Sequence, residues 1–325
     1  MAARLQTCLE AALKARESLI AEPAITAYRV FNGQADGIPG LVIERLGDVL
    51  VVQLHEGTLT CDAEQVRAFV EHAHQRLGTR AVYRKRFVRD RSRASAELAR
   101  LHTNPQPWLG ERVEPERIVV EYGLKFLVRP YDGFSVGLFL EHRENRRRIR
   151  GLAAGLRVLN AFSYTGGFTV AAAAGGAAAI ASVDVSKRYL EWSKHNLTAN
   201  GIDLTGLRFY RSDIFAYYKR ARRQGHRYTL IILDPPTFAR SPRSKRVFVL
   251  TEQLEALAAG AMELLDPGGI VLLATNDRRI DRTRLEAVLT KVGAGRSCTI
   301  LESPALPRDF AGDPDYSKTV IARFG

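Results

Sequence analysis

Residues 156–186, LRVLNAFSYTGGFTVAAAAGGAAAIASVDVS, decide the architecture. LRVLNAF (156–162) is a short apolar run that stops in the glycine turn SYTGG. TVAAAAGG (169–176) reads as a helix of small residues ended by glycine, and AAIASVDVS (178–186) as a second buried strand. A strand, a helix and a strand within about thirty residues form the repeating unit of a parallel sheet.

The same rhythm continues towards the C-terminus. LEWSKHNLTANG (190–201) is a helix ended by Asn200-Gly201, LRFYRSD (207–213) a strand, FAYYKRARRQG (215–225) a helix, and YTLIILDPP (228–236) a buried strand. Residues 248–265 place Leu250, Leu254, Leu257, Ala261 and Leu264 on one helical face, and GGIVLLATN (268–276) follows as a strand. A helix near 281–292 precedes CTILE and SKTVIARF, which lack a clear helix between them and so predict a terminal antiparallel pair. The expectation is an α/β doubly wound, Rossmann-like sheet over 136–325, parallel through most of its width.

Residues 1–135 read differently, as a smaller α+β accessory or substrate-recognition domain. The first twenty residues form an amphipathic helix, and AYRVF (27–31) leads into the turn-rich NGQADGIPG. LVIERL and VLVVQL flank Gly47-Asp48 as a hairpin, DAEQVRAFVEHAHQRLG (62–78) is a helix with Gly78 as its stop, and RIVVEYGLKFLVRP (117–130) is a strand pair about Tyr122-Gly123.

Composition narrows the class. A chain of 325 residues with 46% hydrophobic and 26% charged residues is not wholesale disordered. No apolar run is long enough for a membrane span, and MAARLQTCLEAALKARESLI has no apolar h-region of a secretory signal. Cys8, Cys61 and Cys298 are too few and scattered for a disulfide framework or zinc cluster, so no metal is expected and a cytoplasmic setting is the default. Lys and Arg total 48 against 35 acids, a formal charge of +13 that concentrates polyanions. The excess clusters in RAVYRKRFVRDRSR (80–93, with Asp90 its only acid), HRENRRRIR (142–150), and KRARRQGHR (219–227) leading into ARSPRSKR (239–246). Arginine dominates in each, which suits forked contacts to phosphate, so nucleic acid is preferred over a membrane surface.

In such sheets ligands lie beyond the carboxyl ends of the strands, near the switch in strand order. The turn after the first strand, Asn160 to Gly167, allows a close backbone approach to a ligand. Its spacing is neither the dinucleotide GxGxxG nor a P-loop, which disfavours NAD and ATP. Asp184, at the end of the second strand, can accept hydrogen bonds from both hydroxyls of a ribose; as a helix N-cap it competes with Ser186. Asp213 serves equally as an acceptor for an adenine amine or as the cap of the helix starting at Ile214. Asp234-Pro235-Pro236-Thr237-Phe238 closes the fourth strand: Pro236 cannot continue it, Asp234 is held rigidly, and Phe238 offers a flat face to a base.

NAFSYTGG, VDVS, LEWSKHNLTANG, DPPTF and DFAGDPDYSKTVIA together resemble the catalytic domain of bacterial 23S ribosomal RNA methyltransferases, S-adenosylmethionine-dependent enzymes of class I fold. The resemblance covers about residues 117–325 and includes a cytosine-C5 branch (large-subunit methyltransferase I type) and a guanine-N7 branch (K/L type). YRVFNGQADGIPGLVIERLGDVLVVQL also looks like the middle, RNA-facing domain of the I type. Upstream, a single helix stands where that type has a PUA-type domain. The resemblance implies that Asn160, Phe162, Ser163, Tyr164, Thr165 and Gly166 line the methionine and ribose part of the cofactor. It implies that Asp184 with Val185 holds the ribose and Ser212 with Asp213 the adenine, while Asp234 and Pro235 stand between methyl group and base. In GLFLEHRENRR (137–147), Phe139 and Arg143 are implied to close over the cofactor.

The target atom follows from what is missing. Cytosine C5 is a poor nucleophile whose methylation usually begins with a cysteine thiolate. The I type carries a cysteine at the end of its fifth strand; here that strand ends Ala274-Thr275-Asn276, and Thr237 follows Pro236. Thr237-Phe238, Asn276 and Asp309-Phe310-Ala311 instead match the guanine-N7 branch. Guanine N7 has an in-plane lone pair and needs no deprotonation. The expected function is methylation of 23S ribosomal RNA at guanine N7, with Asp234, Asn276 and Phe238 at the base. Cytosine C5 or an exocyclic amine is the nearest rival, a non-catalytic RNA-binding assembly factor or a small-molecule methyltransferase the more distant ones. The oligomeric state is open, a homodimer among the options.

Overall fold

The computed structural model describes residues 2–88, 96–240, 247–293 and 295–325. The chain forms two units, Met1–Leu140 with Pro307–Asp313, and Glu141–Leu306 with Pro314–Gly325. The sequence places the divide at 135 and keeps the whole C-terminal part in the second domain. The return of Pro307–Asp313 to the first unit has a local cause. Asp309 is fully buried there: its Oδ2 accepts the Arg29 backbone N–H at 2.8 Å, and its carbonyl accepts Arg16 Nη2 at 3.0 Å.

The first unit contains α1 (Ala2–Ala15), α2 (Glu17–Ile20), β1 (Ala27–Asn32), β2 (Leu41–Leu46), β3 (Val49–His55), α3 (Ala63–Leu77), β4 (Ala81–Phe87), α4 (Ala96–Thr103), β5 (Leu109–Gly110), β6 (Arg117–Glu121) and β7 (Leu124–Val128). Strands β1 to β5 lie in chain order; only the β3–β4 pair, joined through α3, is parallel. Helix α3 begins where the sequence predicts, because Asp62 and Gln65 form a reciprocal capping box, and ends at left-handed Gly78. Leu9, Val30, Phe31, Ile43, Val52, Phe69 and Val70 fill the core.

Strand β4 corrects the reading of the first basic cluster as a phosphate surface. Lys85 is buried, its Nζ donates to the carbonyls of Gly133 and Phe134, and burial pushes its pKa down to about 8 against the opposing pull of Glu44 and Asp132. The Arg84 guanidinium lies 5.0 Å from the Trp108 ring centre, and Arg86 pairs with Glu56. Residues 89–93 of that cluster lie outside the described residues.

The second unit contains α5 (Arg143–Leu152), β8 (Arg157–Ala161), α6 (Gly167–Ala174), β9 (Ala179–Asp184), α7 (Lys187–Ala199), β10 (Leu207–Arg211), α8 (Ile214–Arg223), β11 (Tyr228–Leu233), β12 (Phe238–Arg240), β13 (Val247–Val249), α9 (Leu250–Met262), β14 (Leu265–Thr275), α10 (Arg282–Val292), β15 (Cys298–Glu302) and β16 (Lys318–Phe324). The sheet order is β10-β9-β8-β11-β14-β16-β15, with β16 antiparallel to both its neighbours and the other pairs parallel. This is the predicted class I, Rossmann-like architecture. Strand order reverses between β8 and β11, so the switch point lies beyond Ala161 and Leu233. Leu159, Val183, Ile231, Leu233, Leu257, Val271, Leu273 and Phe324 form the core. The β12–β13 ribbon, which the sequence reading did not foresee, flanks residues 241–246, the end of the third basic cluster, which lie outside the described residues.

The other basic clusters are also partly internal. Arg143 and Arg146 on α5 are buried, and Arg148 pairs with Glu302 at 2.8 Å. The Arg220 guanidinium lies 4.8 Å from the Tyr210 ring centre, Arg222 pairs with Glu263, and Arg227 with Asp266 at 2.9 Å. Arginine stems cover apolar surface while their charges require partners, so a basic run in sequence need not be a basic surface.

Candidate functional site

The turn after β8 is built under strain. Phe162 and Tyr164 have positive φ values of 59° and 48°, and Gly166 follows at 79°. Such conformations cost non-glycine residues about 1–3 kcal/mol each and persist only when the surroundings impose them. Here Ser163 N–H donates to Val183 O at 2.9 Å, Gly166 N–H to Ser163 O at 2.8 Å, and Asn196 Nδ2 to Thr165 O at 2.8 Å. Gly166 is required twice: by its φ, and because a Cβ there would lie 1.9 Å from Ser193 Oγ. Asn160 is buried on β8 and its Nδ2 donates to Thr169 Oγ1 at 2.9 Å, so its side-chain amide ties the strand to α6.

Asp184 closes β9 and touches that turn. Its Oδ2 accepts the Tyr164 N–H at 2.9 Å and its Oδ1 the Ser186 N–H at 2.8 Å. Burial pushes its pKa up, opposed by these backbone donors. The cap of α7 is Ser186, whose hydroxyl accepts Tyr189 N–H at 3.3 Å, so Asp184 is not used as a helix cap. Val185 is half-buried beside it. Asp213 does take the cap role: its Oδ1 accepts the Phe215 and Ala216 N–H groups at 3.1 and 3.2 Å, and Ser212 Oγ donates to its carbonyl at 2.9 Å.

Asp234 follows β11 directly, with a quarter of its side chain exposed, Pro235 buried and Pro236 exposed. Phe238 is 50% exposed, as a stacking face requires. Asn276 is exposed just beyond Thr275, on the strand neighbouring β11. Asn160 to Gly166, Asp184, Asp213, Asp234 and Asn276 therefore all lie at or just beyond the carboxyl ends of the parallel strands. Arg143 belongs to the same unit and is buried; Phe139, 40% exposed, belongs to the first.

The sequence reading missed His142. It is buried, and its Nε2 lies 3.3 Å from Asp234 Oδ2. Burial disfavours the charged ring, but the Asp234 carboxylate and Glu141 outweigh burial and Arg146, so its pKa is raised. Nothing in a single sequence pairs a histidine at 142 with an aspartate at 234.

Cys298 is half-buried and lies at the opposite end of the sheet. It pairs with Phe324, which pairs with Gly269, whereas Leu233 pairs with Leu273. The separation from Asp234 is roughly 17 Å along the strands and three strand spacings, roughly 14 Å, across them.

The sequence model of the S-adenosylmethionine-dependent methyltransferases matches residues 29–311. The chain is similar to ribosomal RNA large subunit methyltransferase I of Erwinia tasmaniensis, with 35% identity over 265 residues, 81% of this chain and 64% of the relative. It is similar to the enzyme of the same name from Klebsiella pneumoniae, with 32% identity over 290 residues, 88% of this chain and 70% of the relative. It therefore spans about two thirds of the length of these relatives. Among solved structures, the methyltransferase SMU.776 complexed with SAH superposes with a TM-score of 0.86 at 28% identity, covering 99% of this chain and 81% of that one.

The residues fit the family's cofactor. Ser163 Oγ is buried within the strained turn with no hydrogen-bond partner among the described residues. The Asp184 carboxylate accepts the Tyr164 and Ser186 N–H groups and keeps lone-pair capacity for a hydroxyl donor. With the strand order, the strand-end carboxylates and a match across most of its length, the chain belongs to the S-adenosylmethionine-dependent methyltransferase family.

Proposed function

We propose that the protein methylates large-subunit (23S) ribosomal RNA and that the acceptor is guanine N7. The names of the relatives and the formal charge of +13 support the RNA substrate. The observation that carries the acceptor is the position of Cys298 at the far end of the sheet from Asp234. Methylation at cytosine C5, the chemistry of the I-type branch, calls for a thiolate at the base. In the second unit the strand ends carry Asp234 and Asn276 instead.

When bound, the cofactor supplies a sulfonium methyl group as electrophile. Asp184 with Val185 holds the ribose, Ser212 and Asp213 face the adenine, and the turn Asn160 to Gly166 with Pro235 bounds the methionine end. Asn160 contributes there through its backbone, because its side-chain amide is committed to Thr169. Arg143, buried in the same unit, borders the site. Guanine N7 has its lone pair in the ring plane, so no general base is needed for its attack. Positive charge then grows on the purine. Asp234, seconded by Asn276, accepts a hydrogen bond from the guanine edge and stabilises that charge, while Phe238 stacks on the base.

The test is incubation of purified protein with labelled S-adenosylmethionine and unmodified ribosomal RNA, followed by nucleoside mass spectrometry. 7-Methylguanosine is expected. 5-Methylcytidine or a methylated exocyclic amine overturns the acceptor, and absence of transfer overturns the enzyme reading in favour of an RNA-binding assembly factor.

A further inference from the structure

We propose that His142 is a positioning residue that holds Asp234 through Oδ2, so that Oδ1 is presented to the target base. The inference rests on the proposed role of Asp234 and adds the group that orients it.

A carboxylate alone is poorly fixed, because the terminal torsion of aspartate has a broad energy well. The two prolines hold the backbone at Asp234 but leave its carboxyl group free to turn. His142 Nε2, 3.3 Å from Oδ2, removes that freedom. The separation is at the long end of the hydrogen-bond range, as is common for catalytic contacts before substrate binds.

The ring is itself anchored from several elements. Its Nδ1 lies 3.0 Å from Asn145 Nδ2 on α5, and the same amide nitrogen donates to Thr319 Oγ1 on β16 at 2.8 Å. The Phe168 ring of α6 packs 5.5 Å from the imidazole centre. The chain Thr319–Asn145–His142–Asp234 thus runs from an interior strand to the strand end. In the neutral ring, with Asn145 donating to Nδ1, the proton sits on Nε2, and in the charged ring Nε2 carries a proton as well, so either form points an N–H at the carboxylate. The charged groups facing the ring are Asp234, Glu141 and Arg146. A histidine kept only for packing would need an acceptor for Nε2, but any carbonyl would serve; here the partner is the partly exposed acid at the switch point.

The test compares His142→Gln, His142→Leu and Asp234→Ala in single-turnover methyl transfer to unmodified ribosomal RNA, with cofactor affinity measured by calorimetry. Glutamine can place an N–H near the same oxygen; leucine cannot. His142→Leu is expected to lose about 10–100-fold in rate, the scale of a small misplacement at a reacting centre, with cofactor affinity within about twofold of the wild type. His142→Gln is expected to recover to within a few-fold of the wild type. Equal losses in the two variants, or none in either, overturn the proposal. If His142→Leu misfolds, imidazole NMR titration of the wild type against Asp234→Asn decides: the His142 pKa should fall when the carboxylate is removed, and an unchanged titration overturns the pairing. An Asp234→Ala variant as active as the wild type defeats both the site reading and this inference. An inactive Asp234→Ala with indistinguishable His142 variants defeats this inference alone.

Discussion

Asp184 Oδ2 accepts the backbone N–H of Tyr164 at 2.9 Å, so the acid that ends β9 also braces the left-handed turn that ends β8. The proposed ribose contact and the backbone strain therefore share one side chain.

Replacing Asp184 with alanine removes the acceptor of the Tyr164 N–H in the turn, the acceptor of the Ser186 N–H, and those proposed for the ribose. Hydrogen bonds to a charged group contribute about 1.5–3 kcal/mol each. A loss of roughly 10–100-fold or more in S-adenosylmethionine affinity is expected by calorimetry. Affinity within twofold of the wild type would remove Asp184 from the site.

Gly166→Ala forces a Cβ to within 1.9 Å of Ser193 Oγ and 2.7 Å of Ser193 Cβ at a φ of 79°. Left-handed strain of about 1–2 kcal/mol adds to overpacking of about 1–3 kcal/mol. Denaturant unfolding should show a loss in that combined range, and Ser193→Gly in the same chain should recover the overpacking part. No recovery would mean that strain alone sets the cost.

The buried Arg29 is held by Glu44 at 2.8 Å and Asn32 at 3.0 Å, and its guanidinium lies 4.1 Å from the Phe310 ring centre. Arg29→Ala leaves Glu44 buried without its cation, which typically costs about 3–5 kcal/mol. Arg29→Met with Glu44→Gln should cost much less, because no unpaired charge remains. Equal destabilisation of the two, measured by urea unfolding, would contradict this account.

The raised pKa of His142 predicts a sign for stability against pH. The folded state holds the proton more tightly than the unfolded chain, whose histidines titrate near about 6.5. The stabilisation is fully present below that value and disappears as pH rises through the folded-state pKa. The difference in Tm between the wild type and His142→Gln should therefore shrink with rising pH. A difference that grows would reverse the assigned direction.

Much of the fold was legible because its determinants are local. The apolar run ending in SYTGG, the Ser186 and Asp213 helix starts, the Asp62 capping box and the Tyr122-Gly123 hairpin each depend on a few neighbouring residues. Strand β4 was hidden because the charged run Arg84-Lys85-Arg86 masked its buried start Ala81-Val82-Tyr83. The β12–β13 ribbon was missed because each arm is only three residues long.

Sequence alone determined the doubly wound sheet, the strand-end acids and the family resemblance, because periodicity, turn chemistry and motif spacing are properties of contiguous residues. Tertiary structure alone decided which charges face inward, that Asp309 ties 307–313 to β1, that Cys298 lies at the far end of the sheet, and that His142 meets Asp234. Those facts join residues up to 280 positions apart. Hydrogen bonds and ion pairs act over a few ångströms of space, and a single chain carries no record of that proximity until it is packed.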